Sequence, residues 1–273
     1  MEKSTVNVLY ALQTCDAFSN QIKDRYTGTT KKEVTWKCVT SFFTALKYAA
    51  KENINVNHIV RIFDDRSSEE TIEYLKLLTR TFNVDNIQIE FTKTKTPGIM
   101  ESIRECYEWL YDFGTDLVYQ VQDDYLFHET SIYEMIDIWY QIFHETGSHS
   151  MVSPYNDNWL WAQPYRNKTT PRAVISGCKR YWIQYYDTSC SFLTSIYNFK
   201  KYWKYLDDFL RMPSTGDEKH NLENVTINRI LTRNSVLGLI PIPSIALHVQ
   251  SELEIDPYVD WKQWWDDVKI LSM

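Results

Sequence analysis

The sequence predicts an α/β fold: a mostly parallel sheet with helices on both faces, forming a single continuous domain. Three observations predict it. Strand-like and helix-like segments alternate through the first 126 residues, the order expected of a parallel sheet. Of the 273 residues, 44% are apolar, enough to bury a large core. No repeat or low-complexity linker divides the chain, so residues 1–126 and 127–273 read as two functional halves of one unit.

The elements follow in order. Val6 to Leu12 alternates and is rich in β-formers, the pattern of a first strand. Trp36 to Ala50 carries apolar residues at helical spacing. His58 to Phe63 is a second strand ending at Asp64-Asp65. Ser67-Ser68-Glu69-Glu70 then has a serine cap and first-turn acids, which start a helix running to about Arg80. Ile87 to Phe91 is a third strand, and Pro97 opens a helix through Tyr111. Asp116 to Val121 is a fourth strand that runs into Gln122-Asp123-Asp124. Beyond it, 130–143, 199–210 and 223–231 read as helices, while 172–176, 188–196 and 236–241 read as strands.

Composition removes several function classes. The seven glycines never fall closer than sixteen residues apart, so the phosphate loop and the dinucleotide fingerprint are both absent. A net charge of −7 argues against a nucleic-acid backbone as partner, and the lysine pairs Lys31-Lys32, Lys179-Arg180 and Lys200-Lys201 read as solvated faces. Five cysteines without a C-x-x-C pair read as small core residues in a reducing compartment. With no apolar leader and no spanning segment, the expectation is a cytoplasmic protein without a membrane span. His144-Glu145 and His149 are spaced five apart around Gly147, which does not match a zinc-protease helix.

The chemistry points to the strand ends. In an open parallel sheet, ligands bind beyond the carboxyl ends of the strands, where Asp64-Asp65 and Asp123-Asp124 both fall. Adjacent carboxylates between apolar flanks call for a cation or for hydrogen-bond donors. A capping role for Asp64-Asp65 is the competing reading. One histidine, His248, ends the strand-like Ile245 to Val249, as a metal ligand or as a structural residue.

These pieces resemble the family 2-like glycosyltransferases with the GT-A fold. The matching segments are VNVLYALQT, RIFDDRSSEET and QDDYL, the last standing where that family has its D-x-D signature. Gln122 departs from the strict pattern, which makes Asp124 the expected metal ligand. The resemblance implies that Thr14, Asp64, Asp65 and Asp123 contact a UDP- or GDP-sugar. It also implies that Asp124 and His248 hold Mn²⁺ or Mg²⁺. Leu222-Glu223-Asn224 resembles the position of the family's catalytic base, with Asp217 and Glu218 as rivals. Trp159, Trp161 and Trp182 would stack on the acceptor, whether a glycan, a protein, a lipid-linked sugar or a modified nucleobase; ordinary packing is the alternative for these rings. The implied activity is an inverting, metal-dependent hexosyl or pentosyl transfer to a hydroxyl. The competing functions are a metal-dependent nucleotidyltransferase and a non-catalytic sugar-binding or scaffold protein.

Overall fold

Alternation along the first strand decides how the core is divided. In β1 (Val6–Thr14), Val8, Tyr10 and Leu12 point into one hydrophobic cluster, while Leu9 and Ala11 point into another. β4 (Leu117–Gln122) repeats the pattern: Leu117, Tyr119 and Val121 face the first cluster and Val118 the second. A sheet apolar on both faces must be covered on both. The first cluster is closed by α1 (Lys31–Glu52), α2 (Glu69–Phe82) and α4 (Ser131–Thr146). The second is closed by α3 (Ile99–Phe113), α5 (Ile196–Lys201), α6 (Trp203–Arg211) and α7 (Asn228–Arg233). The computed structural model describes residues 5–17, 28–53, 55–156, 172–186, 191–211, 226–249 and 255–272.

With β2 (Val56–Asp64), β3 (Ile87–Lys93), β6 (Met151–Val152), β7 (Val174–Ser176), β8 (Tyr181–Tyr185), β9 (Leu193–Ser195) and β10 (Gly238–Ile242), the sheet has nine strands among the described residues, in the order β3-β2-β1-β4-β9-β6-β10-β8-β7. Its long strands β3, β2, β1 and β4 run parallel. β9 pairs antiparallel with both β4 and β6, and carries the sheet from the N-terminal half into the C-terminal half. The fold is thus a mixed α/β sheet, parallel in its long strands. A second, two-stranded sheet pairs β5 (Tyr125–Phe127) antiparallel with β11 (Ala246–His248). α8 (Trp261–Asp267) packs beside it: Trp265 shares a small cluster with Val34 and Cys38 of α1, Leu126 and Leu247.

Helix ends follow local chemistry. Thr30 caps α1 through a bond from the Glu33 amide, so the helix begins five residues before the apolar spacing at Trp36. Ser68 caps α2, as its sequence predicts. α3 begins after Gly98 rather than at Pro97, and Gly147 ends α4 at φ +69, a left-handed position suited to glycine. Cys38 and Cys106 are core residues as expected, but Cys178 is exposed. No helix among the described residues is long and apolar enough to cross a membrane.

Candidate active site

The register of the parallel strands gathers the predicted acids at one edge. Thr14 lies opposite Asp64, and Gln13 opposite Gln122, so the segments after β1, β2 and β4 emerge together. Each acid then meets different partners, and burial separates their roles.

Asp64 and Asp65 are both 1% exposed. Asp64 accepts from the Thr14 hydroxyl at 3.0 Å and from the Ser67 amide at 3.3 Å. Burial raises its pKa; the bonds from Ser67 and Thr14 oppose the rise, and the nearby Asp16 charge adds to it. Asp65 takes a two-pronged bond from the Arg66 guanidinium, at 2.8 and 3.0 Å, and a further bond from the Gly98 amide at 3.2 Å. Arg66 sits at φ +64, a left-handed conformation that costs a non-glycine residue about 1–2 kcal/mol. The bidentate grip of Asp65 offsets that cost.

Asp123 is engaged as fully. Its Oδ1 lies 2.6 Å from Lys31 Nζ, and its Oδ2 accepts from the Cys15 amide and the Thr35 hydroxyl. The Lys31 and Asp123 side chains are 11% and 10% exposed. Lys31 therefore is not part of a solvated pair, although its neighbour Lys32 is: Lys32 reaches Glu70 on the open surface. Asp16, which sequence reasoning missed, accepts from the amide and hydroxyl of Ser68 and from the Thr71 hydroxyl. It ties the segment after β1 to the start of α2. Asp-x-x-x near a strand end carries no signal of this, because its partners lie more than fifty residues away. Asp64, Asp65 and Asp123 thus brace the loops at this edge, with their carboxylate oxygens turned to the chain's own donors, the Thr14 hydroxyl among them.

Asp124 faces differently. The β5–β11 pairing sets His248 directly opposite Tyr125, and His248 Nε2 comes within 3.4 Å of Asp124 Oδ2. The Val249 amide donates to the Asp124 main-chain carbonyl at 2.7 Å, and the His248 ring stacks on Tyr125 at a centroid distance of 4.8 Å. The first contact ties the two backbones together and the second packs the His248 ring. A carboxylate oxygen and an imidazole nitrogen are a suitable donor pair for a divalent cation, and the nitrogen favours Mn²⁺ over the all-oxygen preference of Mg²⁺. No third His, Cys, Asp or Glu joins them to form a metal-binding group among the described residues. Such an ion commonly completes its shell with phosphate oxygens and water.

The remaining predicted residues divide in two. Glu223, Asp217, Glu218, Trp159 and Trp161 lie outside the described residues. Trp182 is in the middle of β8, 1% exposed and part of the main core cluster, so its ring has no face to offer an acceptor. Here packing is the physical role: residue 177 is glycine because a Cβ there would come within 2.7 Å of the Trp182 ring nitrogen.

No family model and no curated protein matches the chain. Among solved structures, it is similar to an apo UDP-glucose pyrophosphorylase (TM-score 0.49, 9% identity, 89% of this chain and 94% of that one). It is also similar to a putative nucleotide-diphospho-sugar transferase from Desulfovibrio desulfuricans G20 (TM-score 0.44, 11% identity, 87% and 80%). A third similarity is to mouse xyloside xylosyltransferase 1 (TM-score 0.39, 10% identity, 76% and 72%). At these values the likeness is one of distant chain trace, and functional weight falls on the residues themselves.

Proposed function

We propose that the protein is a metal-dependent glycosyltransferase that moves a sugar from a UDP- or GDP-sugar to an acceptor hydroxyl. The observation that supports this best is the approach of Asp124 and His248, 3.4 Å apart at the carboxyl edge of the parallel strands. In this reading the two side chains hold Mn²⁺ or Mg²⁺. When bound, the cation neutralises the charge that develops on a departing diphosphate. Asp64, Asp65 and Asp123 contribute by fixing the loops around the donor, and Asp123 also holds the Lys31 ammonium beside the site. Glu223, with Asp217 and Glu218 as rivals, would take the proton from the acceptor hydroxyl, and attack from the opposite face would invert the anomeric centre.

The test is turnover of UDP- and GDP-sugars with Mn²⁺ and a panel of acceptors. The proposal expects transfer that EDTA abolishes and Mn²⁺ restores. Glu223→Gln should then lose transfer while keeping donor binding. A protein that turns over no donor and binds nucleotide equally well as Asp124→Ala would be a non-catalytic relative. One that joins a nucleoside triphosphate to a sugar phosphate would be a nucleotidyltransferase.

A further inference from the structure

A cavity opens on the flank of the molecule, between the middle of α1, the end of β5 and α8. Its volume is about 590 Å³, within the range of small-ligand sites. None of Thr14, Asp16, Asp64, Asp65, Asp123, Asp124 or His248 lines it, so it is separate from the carboxylate edge. Phe127 and Trp264 supply apolar walls, and Trp264 meets the His128 ring at a centroid distance of 5.0 Å and an angle of 49°, forming an aromatic corner.

His128 is held in place by a chain of bonds behind it. Arg180 donates to both oxygens of the 1%-exposed Glu134 carboxylate, at 2.5 and 2.9 Å. The Thr130 hydroxyl lies 2.5 Å from Glu134 Oε1 and gives its single proton there. Thr130 Oγ1 lies 2.8 Å from His128 Nδ1. The Thr130 amide also donates to Nδ1, at 3.3 Å. Burial, then the Arg180 charge, lowers the His128 pKa. Nε2 has no partner among the described residues, on a ring that lines the cavity.

The rest of the lining is rich in acceptors and close to charge balance: Glu129 and Asp267 against Lys269. An anion would meet two carboxylates. Glu129 and Asp267 are exposed, and Asp267 Oδ1 already accepts from Gln263 at 2.8 Å, so polar groups ring the aromatic corner. A ligand that is uncharged, carries several hydroxyls and has one apolar face suits this lining. We propose that this cavity binds a neutral saccharide unit, with one sugar face laid on the Trp264 indole and its hydroxyls hydrogen-bonding to His128 Nε2, Glu129 and Asp267. The site belongs to the chain independently of which reaction the carboxylate edge supports.

Saturation-transfer NMR and calorimetry with glucose, galactose, N-acetylglucosamine, maltose and cellobiose test this on the full chain. The variants are Trp264→Ala, Thr44→Trp and Asp124→Asn. Thr44 is an exposed lining residue of α1, so a tryptophan there fills the cavity without disturbing the core. At least one sugar should bind wild type, bind about tenfold more weakly to Trp264→Ala and Thr44→Trp, and bind equally to Asp124→Asn. Three outcomes overturn the proposal: no sugar binding; binding that survives Thr44→Trp but fails in Asp124→Asn, which places the sugar at the carboxylate edge; or tetramethylammonium binding in preference to every sugar.

Discussion

Lys31 Nζ lies 2.6 Å from Asp123 Oδ1, closing an ion pair between the start of α1 and the end of β4 with both side chains about nine-tenths buried. Removing one partner of such a pair leaves the other charge without compensation, which costs about 3 kcal/mol or more. Lys31→Met should therefore lower the unfolding free energy measured in urea by that amount, while Lys32→Met, on an exposed pair with Glu70, should change it by less than about 1 kcal/mol. Equal effects in the two variants would show that Lys31 is solvated after all.

Arg180 pins the turn between β7 and β8 to α4. It makes both bonds to the buried Glu134 carboxylate and a third to the Pro243 carbonyl. Arg180→Met should destabilise the fold by about 3–5 kcal/mol, because Glu134 is then a buried carboxylate with only Thr130 as side-chain donor among the described residues. The double change Arg180→Met, Glu134→Leu should recover much of the loss. A single variant as stable as wild type in chemical denaturation contradicts this.

His58 is fully buried in the core, its Nδ1 at 2.9 Å from the Tyr10 hydroxyl, and burial lowers its pKa to about 4. The unfolded chain takes up a proton near pH 6.5, whereas the folded one refuses it down to about 4. The stability contributed by neutral His58 is therefore fully present above pH 6.5 and is lost as pH falls towards 4, for a total of about 3 kcal/mol. Asp64, whose pKa burial raises, works in the opposite direction over the acid range. His58→Leu should flatten the fall in urea midpoint between pH 7 and 4. An unchanged slope would mean that another group carries the acid sensitivity.

The parallel half of the fold was legible because its signals are local. Alternation in Val6 to Leu12 and helical spacing in Trp36 to Ala50 are set within a few residues, and the acids at 64, 65, 123 and 124 follow strand ends directly. What was not legible depends on distant partners. Nothing in Lys31-Lys32 or Lys179-Arg180 distinguishes the buried cation from the solvated one, since Asp123 and Glu134 lie 92 and 46 residues away. β5 and β11 have three residues each, too short for periodicity, yet their register delivers His248 to Asp124. Tyr181 to Tyr185 contains aromatic rings that suit either sugar stacking or packing, and only the β8 pairing puts Trp182 in the core.

The account rests on Asp124 and His248 acting as one cation site, and Mn²⁺ binding measured by electron paramagnetic resonance in the presence of UDP tests it most directly. Wild type should bind one ion, and both Asp124→Asn and His248→Ala should weaken binding by about tenfold or more, while folding as wild type does. Binding that is undiminished in both variants, or no Mn²⁺ binding by wild type, would contradict the central claim.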